Sequence, residues 1–423
     1  MGRRSNGEGS ITKRKDGRWQ AAVSVGTDEN GKPKRKYYYG KTKKEVAKKL
    51  AEATNQVRTG TYTEPSKLVV REWFDRWLKH YKKGNIDQST FESYKDHIDL
   101  HILPEIGHIK LSKLKTFHLQ ELYHKKLQGG ARRDSKPGGL SARVVRYLHM
   151  ICRQALEQAK AEGLITINPC DATKPPRLER KEIKSLDSDQ VTLFLQEAKP
   201  CRYYTAFLLG LYTGMRRGEV LALQWEDIDF ETNEIQVRKT IERSKEYGLR
   251  IKPHTKNKKN RSVSADPAVL ETLKFWKARI DKEKKNLGNA YLNNNLIFPN
   301  EIGSITCPRA FSRQFERTIE RCNKRLVDTA IEKKREETGK EELSEEETRF
   351  IEQSNRIEVS PHSLRHTFAT LSLQEGCDPK TIQEALGHHS AAFTLDVYAG
   401  VTQKMRKEAN EKIGKLLTAC LPS

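Results

Sequence analysis

Three arginines, two histidines and one tyrosine in the C-terminal half of the chain have the types and spacing to act on a phosphate. Thr213-Gly-Met-Arg-Arg-Gly-Glu-Val220 opens an amphipathic helix whose apolar positions include Val220, Leu221, Leu223 and Trp225. Arg216 and Arg217 then fall in its first turn, where the helix dipole is already positive. That placement is unfavourable unless an anion sits there, and a phosphate suits both the helix-end N–H groups and a guanidinium fork. Glu219, three residues beyond Arg216, can orient it by an i,i+3 pair. In Ser360-Pro-His-Ser-Leu-Arg-His366, Ser360 reads as a helix cap and Pro361 as the first helical residue. His362 and Arg365 become i,i+3 neighbours near that helix start. In Leu386-Gly-His-His-Ser390, Gly387 ends a helix begun at Asp378-Pro379 and leaves His388 just outside it. Ser390 can cap a short helix carrying Tyr398. A lone arginine is ordinarily a surface residue, a lone histidine a bystander and a lone tyrosine part of a core. Together they make a phosphate clamp, Arg216, Arg365, His362 and His388, beside a phenol.

The elements that must position these groups belong to the last and largest of three expected domains, 185–423, of mixed helix with a short β-region near Glu234–Val263. Within it, a segment at about 323–357 is dense in Glu and Lys with almost no apolar stripe, and reads as an exposed charged helix or a flexible excursion. Ahead of the domain, Ile165–Lys184 contains Asn168-Pro and Pro175-Pro176 and reads as a linker. Residues 66–172 have helical periodicity, with helices at Val69–Tyr81, Ser89–His101, Lys115–Gln128 and Ser141–Glu162. Trp73, Phe74, Trp77 and Leu78 share one face of the first, which is core patterning.

Residues 1–62 differ again. Arg18–Val25 alternates as a strand, Lys34–Tyr39 reads as a second, and a shorter strand fits Ser10–Lys13. Thr42 caps a basic helix to about Arg58. The expectation is a three-stranded sheet plus one helix, with Arg18, Trp19, Lys34, Arg35, Lys36 and Tyr38 available to DNA in a major groove.

The chain has 423 residues and a formal net charge of +23, from 79 Lys and Arg against 56 Asp and Glu. The first 60 residues supply +10 of it, with 16 basic and 6 acidic side chains. Such a surplus draws a polyanion, most commonly nucleic acid. No apolar run of membrane-spanning length and no apolar signal core is present, so the expected location is the cytoplasm, with no membrane partner. The seven cysteines are scattered without zinc spacing, and no P-loop, dinucleotide fingerprint or acidic metal cluster is evident. No cofactor and no metal are expected.

The four boxes, TGxRxxE, HxLRH, LGH and a tyrosine ten residues after that histidine, agree in type, order and spacing with the signature of the tyrosine recombinase, or phage integrase, family. The layout resembles the larger integrases of phages and conjugative transposons over essentially the whole chain. It implies an N-terminal arm-binding module, an all-α core-binding domain and a mixed α/β catalytic domain. The resemblance implies that Tyr398 attacks the scissile phosphate to give a 3′-phosphotyrosine and a free 5′-hydroxyl. Arg216 and Arg365 would hold the non-bridging oxygens, His362 and His388 would add hydrogen bonds and assist proton transfer, and Glu219 would brace Arg216. The family also uses a hairpin lysine as general acid. Here the hairpin is expected at Ile251–Val263, with Lys256 the best fit and Lys258 or Lys259 alternatives.

The tyrosyl ester conserves the phosphodiester bond energy, so no ATP is required. Implied partners are duplex DNA at core-type and arm-type sites, a homo-tetramer on DNA, and an excision factor or DNA-bending protein. Met405, Ala409, Ile413, Leu416, Leu417 and Cys420 share a face of the tail, which either packs on its own domain or docks on a neighbouring protomer. One departure is the charged insertion, where family members pass directly from the helix represented by Arg309–Arg321 to HxLRH. Rival readings are a type IB topoisomerase and a host chromosome-resolving recombinase, neither of which accounts for the first 60 residues. A DNA-binding regulator or architectural protein with a non-functional recombinase domain is a third, but every box residue is present.

Overall fold

The computed structural model describes residues 9–27, 32–59, 67–129, 132, 137–179, 183–253 and 260–387. His388, Tyr398, the tail positions from Met405 to Cys420, and Lys256, Lys258 and Lys259 lie outside them. The chain forms two compact units, Met1–Glu179 and Arg180–Ser423, and is mainly helical with small antiparallel sheets.

The first unit opens with β1 (Ser10–Lys13), β2 (Trp19–Thr27) and β3 (Pro33–Gly40) in that spatial order, followed by α1 (Lys43–Arg58). The Thr42 hydroxyl caps α1 by accepting from the Glu45 N–H. Ala21 and Val23 of β2 and Val46, Leu50 and Ala53 of α1 form a small separate core. Next come α2 (Val70–Trp77), α3 (Gln88–His97), α4 (Leu103–Ile106), α5 (Thr116–Gln128) and α6 (Ala142–Ala161). The apolar stripe of α2 is buried as the 3.6-residue period requires, and the Trp73 indole donates to the Ala155 carbonyl of α6 at 2.8 Å. The stretch expected to be a linker is partly laid against this bundle. Ile165, Asn168 and Cys170 are buried, and Gln120 exchanges two hydrogen bonds with the Lys174 backbone. Its prolines suppress regular structure without freeing the chain.

The second unit contains α7 (Ser188–Ala198), α8 (Tyr204–Thr213), α9 (Arg217–Ala222), β4 (Ile228–Asp229), β5 (Glu234–Val237), β6 (Thr240–Ser244), β7 (Gly248–Lys252), β8 (Arg261–Ser264) and α10 (Pro267–Leu287). It ends, among the described residues, with α11 (Pro308–Thr338), α12 (Glu345–Ser354), α13 (Ser363–Gln374) and α14 (Pro379–Leu386). Phe194, Phe207, Phe311 and Phe315 knit α7, α8 and α11 into one core.

Among the described residues, the strands flanking the expected hairpin over Ile251–Val263 do not pair with each other. β7 pairs with β6, and β8 pairs with β5 in a sheet ordered β4-β5-β8. Two local contacts decide it. The Glu242 carboxylate accepts from Arg250 at 3.0 and 2.8 Å across β6–β7, and Val263 sits opposite the buried Ile235 across β5–β8. Such cross-strand pairs set register.

The charged insertion is a helical hairpin. α11 runs unbroken to Thr338, Gly339 ends it in the left-handed conformation, and α12 packs back on it. Its neck is closed by Asn323, whose side chain donates to the Ile357 carbonyl at 3.1 Å and accepts from the Ile357 N–H at 2.7 Å.

Candidate active site

The first box is built around the end of α8. Thr213 is fully buried and its hydroxyl donates to the Leu209 carbonyl at 2.6 Å. Gly214 follows at φ +61°, and a Cβ there would lie 2.4 Å from Phe368 and 2.7 Å from Leu386, so the turn admits only glycine. The chain then extends through Arg216, the residue capping α9. The sequence places Arg216 in a helix's first turn; it is instead the cap of a six-residue helix, and a carboxylate fixes it. Glu219 Oε2 accepts from the Arg216 backbone N–H at 3.0 Å, and Oε1 from its Nη1 at 2.9 Å. This is the expected i,i+3 pair. Arg217 turns away to donate to the Ser312 hydroxyl.

Glu219 is 1% exposed and has a second cationic partner, Arg261 at the start of β8. Arg261 Nη2 donates to Oε2 at 2.6 Å and Nη1 to Oε1 at 3.3 Å. Burial alone would push the Glu219 carboxyl up, but Arg261 and Arg216 outweigh it and hold the pKa below the usual glutamate value. Glu219 is therefore ionised at neutral pH.

In the second box, α13 begins at Ser363, two residues later than the Ser360 cap predicts. Ser360-Pro361-His362 forms a turn, with the Ser360 N–H donating to the Ser363 hydroxyl at 3.1 Å and the Ser363 N–H to the Ser360 carbonyl at 2.8 Å. His362 is thus the capping residue itself. Arg365 is 2% exposed, and its Nη1 donates to the Gly214 carbonyl at 2.9 Å. The two arginine boxes, about 150 residues apart in sequence, are joined by that bond. His366 packs edge to face on His362, with ring centroids 4.7 Å apart. Burial, with the charges of His362 and Arg365, drives its pKa down to about 4, so the ring is neutral at pH 7.

The third box enters through α14, whose buried Ile382 and Leu386 pack with Ala369 and Leu373 of α13. Gly387 closes α14 at φ +64°, as expected. Arg261 reaches this end too, its Nε donating to the Ala385 carbonyl at 2.8 Å. Arg216, Glu219, Arg365 and the end of α14 are therefore tied into one network, with His362 and His366 on α13. Among the described residues no group of three or more His, Cys, Asp or Glu side chains is placed to hold a metal ion.

The N-terminal candidates divide by face. Trp19 and Tyr38 pack against the small core under α1, and Lys36 lies opposite Val23 on that same side. Arg18, Lys34 and Arg35 are exposed. The aromatics turned outward on β3 are Tyr37 and Tyr39, each 46% exposed. Sequence reasoning missed these two because three consecutive tyrosines carry no inside–outside contrast. It also gave His366 no role and passed over Arg261, which no local motif marks.

A model of the phage integrase family matches residues 184–405, and one of the phage integrase N-terminal SAM-like domain matches residues 69–127. A tyrosine recombinase XerC-like protein of Caldanaerobacter subterraneus is 28% identical over 417 residues, covering 94% of this chain and 96% of that one. The ICEBs1 integrase of Bacillus subtilis is 27% identical, covering 71% and 72%. Among solved structures, the Tn1549 transposon integrase in complex with transposon right end DNA is similar with a TM-score of 0.60 at 19% identity. That match covers 81% of this chain and 100% of the other.

Proposed function

We propose, from the premise that this chain belongs to the phage integrase family of site-specific DNA recombinases, that it integrates and excises a mobile element through a covalent bond to Tyr398. The observation that carries the reading is the Arg216–Glu219 and Arg365–Gly214 network, which fixes two guanidiniums in advance. Preorganised cations cost no reorganisation as charge develops on a phosphorane, and this is usually the largest catalytic contribution. The Tyr398 oxygen attacks phosphorus and the bond from phosphorus to the 5′-oxygen breaks. The phenol proton leaves with help from His362 and His388, and the 5′-oxygen takes a proton from Lys256. Arg216 and Arg365 hold the non-bridging oxygens throughout. Religation to a new 5′-hydroxyl reverses the step.

The module 1–62 reads arm-type sites through Arg18, Lys34 and Arg35, with Tyr37 and Tyr39 beside them. Trp19, Lys36 and Tyr38 support that sheet from the α1 side. The bundle 66–172 clasps core-type DNA, and 185–423 cuts it; the separate cores of the first two support that division. Relatives crystallised on DNA include a lambda integrase dimer on a core site. Assembly here is a tetramer on DNA in the cytoplasm, helped by an excision factor or DNA-bending protein. Among the described residues no helix is long and apolar enough to cross a membrane.

The test is a covalent-adduct assay on nicked duplexes from the ends of the element encoding the protein, with EDTA present and Tyr398→Phe as control. A denaturant-resistant protein–DNA band that vanishes in the Phe variant is expected. A band persisting in the variant sinks the nucleophile assignment, and bound DNA without any band favours the regulator reading.

A further inference from the structure

The Arg261 side chain is about nine-tenths buried and spends its donors on two different elements. Two N–H groups go to the Glu219 carboxylate on α9 and a third, Nε, to the Ala385 carbonyl in the last turn of α14. A charge partner for Glu219 needs only the first pair; the third bond holds the backbone that leads directly into Gly387 and His388. The approach is close, since a Cβ on Gly387 would stand 3.3 Å from Arg261 Cδ. Arg261 is also the first residue of β8, immediately after the link from β7 that contains Lys256. One planar fork thus ties the carboxylate behind Arg216 to the last turn of α14.

We propose that Arg261 is a positioning residue for strand cleavage, holding Arg216 through Glu219 and, with the same guanidinium, the last turn of α14 through the Ala385 carbonyl. The role rests on the clamp described under Proposed function. A lysine can meet Glu219 as a point charge but cannot span both partners with a rigid fork. Charge and geometry therefore separate by substitution.

The experiment measures single-turnover adduct formation at saturating nicked duplex, well below the melting temperature, alongside the Kd for the same duplex. Arg261→Lys is expected to fold and to bind within twofold of wild type, yet to cleave about tenfold more slowly; Arg261→Met should cleave about a hundredfold more slowly. If the Met variant does not fold, the Lys variant decides alone. Cleavage by Arg261→Lys within twofold of wild type, or a loss residing wholly in Kd, overturns the role. Wild-type protein runs in parallel. Absence of its adduct counts against the recombinase reading, whereas a wild-type adduct with an unimpaired Lys variant counts against Arg261 only.

Discussion

Around Glu219, a carboxylate sealed from water is gripped by guanidiniums 3 and 42 residues away in sequence. Between Lys324 and Arg356, ten acidic and eight basic side chains stand mostly in solvent on the α11–α12 hairpin. Beyond Arg325, which reaches back to Glu197 on α7 at 2.9 Å, the pairing is loose, as in Lys340–Glu347 at 3.4 Å with both side chains in contact with solvent. Both regions are rich in charge, but only burial turns charge into fixed geometry. In the interior a lost partner leaves an uncompensated ion, so each group must stay put. On the hairpin, water and salt replace any partner at almost no cost. The hairpin also carries −2 in a chain of +23, so it contributes nothing to the attraction for DNA.

The contrast breaks most severely at its centre. Glu219→Gln leaves Arg216 and Arg261 facing a neutral amide, and should cost about 3 kcal/mol in denaturant unfolding. Adduct formation should fall at least tenfold, because Arg216 loses its brace. Next is Gly214→Ala, which forces a Cβ into Phe368 and Leu386 at positive φ. We expect a loss of about 2 kcal/mol, read as a lowered denaturation midpoint with unchanged slope.

His366 sharpens the comparison through pH. Its folded-state pKa lies below the ordinary 6.5, so the unfolded chain binds the extra proton first. Its contribution is fully present above about 6.5 and is lost as pH falls toward 4. The melting temperature of wild type should drop across that window, and His366→Gln should show a shallower drop. Equal slopes would remove His366 as the cause. The smallest effect belongs to the hairpin: Lys340→Ala should change stability by under about 0.5 kcal/mol and leave adduct formation unchanged.

What could be read from the sequence follows the same divide. Helices of the bundle were legible because Trp73, Phe74 and Trp77 recur at helical spacing, and the Arg216–Glu219 pair because it spans one turn. The Glu219–Arg261 pair was not, since it joins helix α9 to strand β8 across 42 residues, and alternation does not choose which strand β8 pairs with. The hairpin between β7 and β8 failed for that reason. Ser360-Pro361 has the composition of a helix start, but residues 360–363 close a turn, the Ser363 N–H donating to the Ser360 carbonyl, and α13 begins only at Ser363. The faces of β3 were hidden because its run of basic and tyrosine side chains carries no polar–apolar contrast, although burial alternates along its second half.

The clasp between Asn323 and Ile357 brings the two ends of the hairpin within hydrogen-bonding distance of each other. Whatever lies between them is spliced in at a single point, and the entropy of closing that loop is met at the neck rather than by the rest of the unit. In engineering terms the site is a port. α11 continues for 16 residues past Cys322, its last buried residue, which is about 24 Å of helix at 1.5 Å per residue. A fluorescent or affinity module joined at Gly339 would ride on that boom, beyond the last buried residue of α11, and could be exchanged without redesigning the enzyme beneath it.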